Sequence, residues 1–216
     1  MGAIKTLITF ERRTQNGELI ERREQESRSW LKHLWDLAYL PFSYQQLLLI
    51  NDIGGVARTL GFPGSSLNPH CNLQINGPSG GGTVIGIVGQ TAVYSTPLAS
   101  ENMGIVVGTS NAAVVATQDA LTTKVAHGEG AGTLLYGGTE VYGLTFANPN
   151  GSFKIRRYFT NVLGGNVTIQ EVGIYSPGYK NNAEVNLFCI ARDVCGAIVV
   201  ANTEILEVTY TVQITV

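Results

Sequence analysis

The last eleven residues of the chain, LEVTYTVQITV, alternate strictly between apolar and polar side chains. A period of two is typical of a β-strand that has one face in a core and the other face in water. This is the strongest structural signal in the sequence, and it predicts that the chain closes on a strand of a half-buried antiparallel sheet. The inward-facing positions are Leu206, Val208, Tyr210, Val212, Ile214 and Val216.

The composition agrees with a β-rich fold. Only 14% of the 216 residues are charged, whereas soluble domains usually have about 25%. The 26 glycines favour loop-rich β structure. From Gly104 onward, short apolar strands are separated by turn signals every ~8–12 residues. We therefore predict a mainly β protein, an antiparallel β-sandwich of jelly-roll-like type, with an N-terminal β-hairpin and one amphipathic α-helix.

Two strands break the alternation, at Arg156-Arg157 and at Gln170-Glu171. We predict a β-bulge at each position, because bulges are common where sheets curve into sandwiches. The aromatic residues around the basic cluster at 154–157 are expected to face inward and its cations outward. The stretch SPGYKNN, residues 176–182, is predicted to be a loop.

Residues 3–24 predict a two-stranded hairpin, with Asn16-Gly17 as its turn. The stretch SRSWLKHLWDLAYLPF that follows contains both tryptophans and predicts a helix, capped by Ser27 or Ser29 and ended by Pro41. More than half of the circumference of this helix is apolar, so it needs more than one surface to pack against. We expect residues 1–49 to form a docking or assembly module and residues 50–216 to form the sandwich domain.

Several classes of protein are disfavoured. A net charge of −2 and an isoelectric point near 5.9 argue against nucleic-acid binding, which usually requires a basic patch. No uncharged apolar run approaches the ~20 residues that span a bilayer as a helix. The first ten residues do not resemble a secretory signal, so we expect synthesis in the host cytoplasm. The three cysteines suggest buried thiols, with a bridge between Cys189 and Cys195 left open as an alternative.

The sequence offers little evidence of chemistry. The S-x-x-K at Ser29–Lys32 lacks the S-D-N and K-T-G elements of acyl-transfer enzymes, so Ser29 is interpreted as a helix cap. The glycine-rich AHGEGAGTLLYGG matches no phosphate-binding spacing and predicts a turn. The histidines lie on three separate elements; His33 is expected to be partly exposed or at an interface, and His127 with Glu129 is a weak candidate pair. We predict no catalytic residues, no cofactor and no metal.

Several phrases in succession resemble virion structural proteins of tailed bacteriophages and their metagenomic relatives. They are LIERREQESRSWLKHLWDLAYL, INDIGGVARTL, MGIVVGTSNAAVVATQDALTTKVAHGEGAGTLLYGG, RRYFTNVLGGNVTIQEVGIY, FCIARDV and the threonine- and valine-rich closing strand. Together they cover most of the chain, and residues 61–100 match least. The resemblance implies a β-rich component of a tail, baseplate, fibre, collar or capsid surface that assembles in several copies. It implies no catalytic residues.

We therefore predict a non-enzymatic structural protein of a virion, with other copies of itself and other virion proteins as partners. Low charge suits this role because apolar surface can be buried between subunits. Trp30, Leu34 and Trp35 are the predicted interface residues, with burial inside their own domain as the alternative. A second hypothesis is a carbohydrate-binding module of a phage fibre that contacts a host glycan through Tyr179, Asn181 and Asn182.

Overall fold

The computed structural model of the protein describes residues 3–39, 48–60, 99–147, 149–180 and 184–215. The described chain is mainly β, with antiparallel sheets and one short helix, as the sequence predicts. The helix is α1 (Lys32–Tyr39). The strands are β1 (Ala3–Arg13), β2 (Leu19–Ser27), β3 (Leu48–Asn51), β4 (Ala57–Leu60), β5 (Gly104–Gly108), β6 (Leu135–Ala147), β7 (Asn150–Thr160), β8 (Val167–Lys180), β9 (Glu184–Val200) and β10 (Ile205–Thr215).

The larger sheet has five strands in the order β2-β1-β10-β7-β6. The hairpin β1–β2 forms as predicted, with Gly17 in its turn at a φ of 87°. Strand β1 also pairs with β10 along its whole length, from Ala3 opposite Thr215 to Arg13 opposite Ile205. The hairpin therefore belongs to the main sheet. The expected boundary between residues 49 and 50 would assign β1 and β10, which are hydrogen-bonded to each other, to different units.

A second sheet, in the order β5-β8-β9, packs against the inner face of the first, and β3–β4 form a separate hairpin. One apolar cluster joins the two sheets, which is the arrangement of a sandwich. Its largest fully buried apolar side chains are Tyr175, Tyr210, Phe159, Phe188, Ile8, Leu31, Ile105, Leu134 and Ile155.

The alternation of the closing strand is reproduced along most of β10. Leu206, Val208, Tyr210 and Val212 are buried, and the residues between them are partly exposed. Ile214 follows the same alternation but is 39% exposed. The inner face of the large sheet thus extends beyond the part that the small sheet covers.

Helix α1 is shorter than the sequence predicts and begins two residues after Trp30. Residues 29–31 remain extended because they pair with β9: Leu31 N–H donates to Ile190 O (3.0 Å), and Arg192 N–H donates to Ser29 O (3.2 Å). Ser27 ends β2, so it is not a helix cap.

The β8–β9 register shifts between Ile169 and Glu171, where a bulge was predicted, but the extra residues lie on β9: residues 195–197 are opposite Gln170. The predicted bulge at Arg156-Arg157 is wrong: β7 pairs with β10 without interruption, and the irregularities of the neighbouring pair lie in β6, between Tyr136 and Thr139 and between Tyr142 and Thr145.

A methyl group at Gly173 is expected to destabilise the small sheet. A Cβ there would lie 2.5 Å from Leu121 Cδ1 and 2.7 Å from the backbone O of Ala191. Because the carbonyl belongs to the neighbouring strand, Gly173→Ala is expected to lower the free energy of unfolding by ~1–3 kcal/mol, measured by urea denaturation. Gly165→Ala, where a Cβ meets nothing within 4 Å, is the control and should be near neutral. Equal stabilities of the two variants would contradict the packing.

Candidate functional site

The interior contains an ion pair that the sequence did not predict. Arg192 on β9 donates from Nε to Glu171 Oε2 on β8 (2.8 Å), and both side chains are fully buried. Arg192 also donates to Gln118 Oε1 (2.8 Å) and to Ala112 O (3.0 Å). Glu171 accepts hydrogen bonds from two backbone N–H groups of the same segment, those of residues 122 and 123. The pair therefore anchors the irregular segment before β6 to the small sheet.

Arg157 is the second buried cation, and its position corrects a prediction. It was expected to face outward, but on β7 it shares the inner face with Ile155 and Phe159 and is fully buried. Its guanidinium lies 4.8 Å from the centre of the Tyr136 ring. Burial lowers the pKa of Arg157 to about 10. Its hydrogen-bond acceptors are the carbonyl oxygens of Gly137, Met103, Ile105 and Ser100, at 2.6–2.8 Å.

Asp193 on β9 is another buried charged residue. Its carboxylate accepts hydrogen bonds from Ser27 Oγ (2.8 Å), Arg28 N–H (3.1 Å) and Tyr210 OH (3.4 Å). Burial raises the pKa of Asp193, and the hydrogen bonds from Ser27 and Arg28 act in the opposite direction. These contacts fasten the end of β2 to the small sheet.

His33 was predicted to be partly exposed or at an interface, but it is buried within its own chain. Its Nδ1 lies 3.1 Å from Cys189 O, and its Nε2 lies 3.2 Å from Asp119 Oδ1. Asp119 also accepts a hydrogen bond from Asn51 Nδ2 (3.2 Å). The histidine is held there because α1 packs against β9 with this face inward, so its role is to connect three elements.

The two motifs considered for catalysis or phosphate binding take structural roles. In the S-x-x-K, Ser29 pairs with β9 through its carbonyl, while Lys32 Nζ forms an ion pair with Asp36 (2.6 Å). In the glycine-rich stretch, Gly128 N–H donates to Leu134 O (3.1 Å), which closes a turn before β6.

His127 does not pair with Glu129. Its ring Nδ1 accepts a hydrogen bond from the backbone N–H of Tyr136 (3.0 Å), and the backbone N–H of His127 donates to Glu101 Oε2 (2.5 Å). Glu129 is exposed. The contacts of His127 therefore hold the glycine-rich stretch that precedes β6 against that strand.

Cys189 and Cys195 are both buried and are not bridged to each other. Burial raises the pKa of Cys195 to about 12 and that of Cys189 further, so both thiols are protonated at neutral pH. Cys71 and His70 lie outside the described residues. Within the described ranges, no group of three histidine, cysteine, aspartate or glutamate side chains could hold a metal ion.

The three predicted interface residues have different environments. Trp30 and Leu34 are partly buried against the core of their own chain, and the Trp30 indole N–H donates to Thr6 Oγ1 (3.3 Å). Trp35 is 59% exposed. Of the three, Trp35 therefore has the side chain most available for contact with another molecule.

Among the described residues, the two large apolar side chains with the highest exposed fractions, Phe146 and Ile4, lie at one end of the five-stranded sheet. Ile214, which was predicted to face the core, lies at the same end, and no residue there was predicted to take part in an interface. Cross-strand pairing places four residues in one row across the sheet: Ile4 on β1, Ile214 on β10, Gly151 on β7 and Phe146 on β6. We call Ile4, Ile214 and Phe146 the apolar row. Ile4 is 63% exposed and Phe146 is 66% exposed. Thr6 and Val212 lie two residues further along the same strands, on the same face, and are buried. The apolar row therefore continues the inner face of the sheet beyond the part that the small sheet covers.

Tyr179, one of the three residues proposed for glycan binding, lies on a strand. Strand β8 continues through Lys180, and Tyr179 pairs with Val185 of β9, so the predicted loop at SPGYKNN is wrong for residues 176–180. The proline and glycine of this stretch are accommodated in a hairpin strand. Asn181 and Asn182 lie outside the described residues.

The described part of the chain has no helix long and apolar enough to cross a membrane. Comparison with known proteins gives no relative from which a function could be transferred: no family model, no curated protein and no solved structure matches the chain.

Proposed function

We propose that the protein is a non-enzymatic structural component that assembles in multiple copies, as part of the virion of a tailed phage. The observation that carries the proposal is the apolar row. Its side chains belong to the core-facing side of the sheet but extend beyond the small sheet, and a second copy of the chain can cover them. The succession of phage-like sequence blocks supports the choice of a virion as the assembly.

The two edge strands of the large sheet differ in charge, and this difference favours self-association through β6 rather than through β2. Strand β2 carries Glu21, Arg22, Arg23, Glu24 and Glu26. Charged residues of this kind discourage edge-to-edge pairing. Strand β6, at the opposite edge, has one charged residue in thirteen, Glu140, whose carboxylate is bound by Arg156 (2.6 Å). Phe146, one residue before the end of β6, belongs both to this edge and to the apolar row, so the two form one continuous surface.

The size of the row indicates how strong the contact is. Burying an aliphatic or aromatic side chain contributes about 1.5–3 kcal/mol. Three half-exposed side chains therefore supply only part of the ~8 kcal/mol that corresponds to micromolar affinity. An isolated pair of copies is expected to be weak, and a closed ring or a shell that repeats the contact is expected to be stable.

Self-association is tested by light scattering and analytical ultracentrifugation over a concentration series. The wild-type chain should form oligomers, and Ile4→Thr combined with Ile214→Thr should weaken association at least tenfold, or about 1.4 kcal/mol. Leu163→Thr is the matched control, because Leu163 is 57% exposed but lies in the turn between β7 and β8. The same measurement on Trp35→Ala determines whether α1 takes part.

A monodisperse wild-type monomer at all concentrations would refute assembly through the apolar row. Equal association of the double variant and of the Leu163 control would refute it as well. The virion assignment has its own test, which is mass spectrometry of purified particles from the phage that encodes the chain. If the protein is absent from those particles, the assignment fails even if the chain forms oligomers.

A further inference from the structure

A groove of about 350 Å³ lies at the end of the large sheet where β6, β7 and β10 meet. Cross-strand pairing places Thr145, Ser152 and Gln213 in one row and Ala147, Asn150 and Thr215 in the next. Positions two apart on a strand face the same side, so these six residues share one face of the sheet. It is the outer face, because the residues between them, such as Ile214, continue the inner face. The groove and the apolar row therefore open on opposite sides, although Phe146 and Gly151 border both.

The described residues that line the groove are polar but uncharged, and two lysines flank it on the same face: Lys5 is opposite Gln213, and Lys154 is opposite Tyr142. The groove lining consists of hydroxyl and amide side chains together with Phe146, Ala147 and Gly151. Thr215 Oγ1 donates to Asn150 Oδ1 (2.9 Å), and the Thr145 and Ser152 hydroxyls lie 3.1 Å apart. These contacts orient the hydroxyls and leave the Asn150 NH₂ and both groups of the Gln213 amide able to bind a ligand. Amides and hydroxyls both donate and accept hydrogen bonds, which matches a ligand whose own hydroxyls do the same.

An aromatic ring lies beside the groove on the same face. Tyr142 occupies the preceding row of β6, opposite Lys154 of β7, and is 41% exposed. The Arg156 guanidinium lies 4.9 Å from the ring centre, and the Tyr142 hydroxyl donates to Glu140 (2.8 Å), so the ring has a fixed orientation. A fixed aromatic ring next to amides and hydroxyls presents both an apolar and a hydrogen-bonding surface.

We propose that this groove binds a neutral carbohydrate. None of the described lining residues carries a charge, and the two lysines beside the groove, Lys5 and Lys154, are exposed to solvent that screens them. A neutral ligand is therefore favoured over phosphate, sulfate, carboxylate or cationic ligands. A sugar presents hydroxyls at its edge and C–H groups on its faces, which fit the amides of Asn150 and Gln213 and the ring of Tyr142. The volume lies at the low end of the ~300–1,000 Å³ range of ligand sites, which suits one or two sugar rings.

The test uses the full chain and a panel of neutral oligosaccharides of glucose, galactose, mannose and N-acetylglucosamine, with sialylated and uronic-acid oligosaccharides as the charged arm. Binding is measured by isothermal titration calorimetry and by a glycan array. We expect a neutral oligosaccharide to bind, and Asn150→Ala combined with Gln213→Ala to reduce its affinity at least tenfold. Both residues are exposed, so the variant should fold, which circular dichroism verifies.

Thr209→Ala is the matched control, since Thr209 lies on the outer face of β10 two rows from Gln213 and should not alter binding. No binding of any neutral oligosaccharide, a preference for the charged arm, or equal binding by the double variant would each overturn the proposal. Because the groove and the apolar row face opposite sides, the Ile4→Thr, Ile214→Thr protein should still bind the sugar. This separates a failure of the assembly proposal from a failure of the binding proposal.

Discussion

Arg192→Met is expected to lower the free energy of unfolding by about 3–5 kcal/mol, because it leaves the Glu171 carboxylate buried without its partner. The two side chains are fully buried and joined at 2.8 Å. The substitution also removes the hydrogen bonds that hold Ala112 and Gln118, so the segment before β6 loses one of its two attachments to the pair. Urea denaturation measures the effect as a lower midpoint with an unchanged slope.

The chain contains a matched control for this prediction. Arg156 and Glu140 form an arginine–glutamate pair at 2.6 Å on the outer face, with side chains 29% and 46% exposed. Solvent screens such a pair, so Arg156→Met should cost about 0–1 kcal/mol. If Arg192→Met costs no more than Arg156→Met, the buried pair does not have the energetic role assigned to it.

Replacing both partners separates the ion pair from the packing around it. Arg192→Met combined with Glu171→Met removes both charges and preserves most of the volume, and such exchanges are often close to neutral. Here the backbone N–H groups of residues 122 and 123 also lose their acceptor. We therefore expect the double variant to be more stable than either single variant but less stable than the wild type.

Most of the strand architecture could be predicted from the sequence, because hydrophobic alternation records which face of a strand is buried. Strands β1 and β10 follow that pattern directly, whereas β5 is a short continuous apolar run that is buried throughout. The turn at Asn16-Gly17 follows from glycine's tolerance of positive φ. Alternation does not show which strands pair, so the central place of β1 in the sheet could not be read from the sequence.

The errors arise where long-range contacts override a local rule. Period-two alternation places Arg157 inward, but the expectation that charged side chains face water led to the opposite prediction. Hydrogen bonds to four backbone carbonyls compensate for burying its charge, and these carbonyls belong to residues 20 to 57 positions away in the sequence. The apolar row was missed for a related reason. The alternation of β1 and β10 includes Ile4 and Ile214, but the sequence does not show where the opposing sheet ends.

Arg157→Met is expected to cost about 3–5 kcal/mol, because several carbonyl oxygens would lose a charged donor inside the sandwich and an unsatisfied buried group costs about 1–3 kcal/mol. Arg157 belongs to β7 of the large sheet, and its acceptors include Met103 and Ile105 at the start of β5 in the small sheet. The side chain thus connects the two layers directly. Hydrogen exchange should accelerate more in β5 than in β1 or β10, in addition to the lower urea midpoint.

Two further substitutions establish the cause. Lys154→Met, at an exposed position on the opposite face of the same strand, should change stability by no more than ~0.5 kcal/mol. Arg157→Lys keeps a positive charge but offers one nitrogen in place of the planar guanidinium. It therefore cannot hydrogen-bond at the same time to carbonyl oxygens as widely placed as those of Ser100 and Gly137. Arg157→Lys should therefore recover less than half of the free energy of unfolding that Arg157→Met loses. If Arg157→Lys is as stable as the wild type, charge alone holds the layers together, and the hydrogen-bond geometry described above is not what the fold requires.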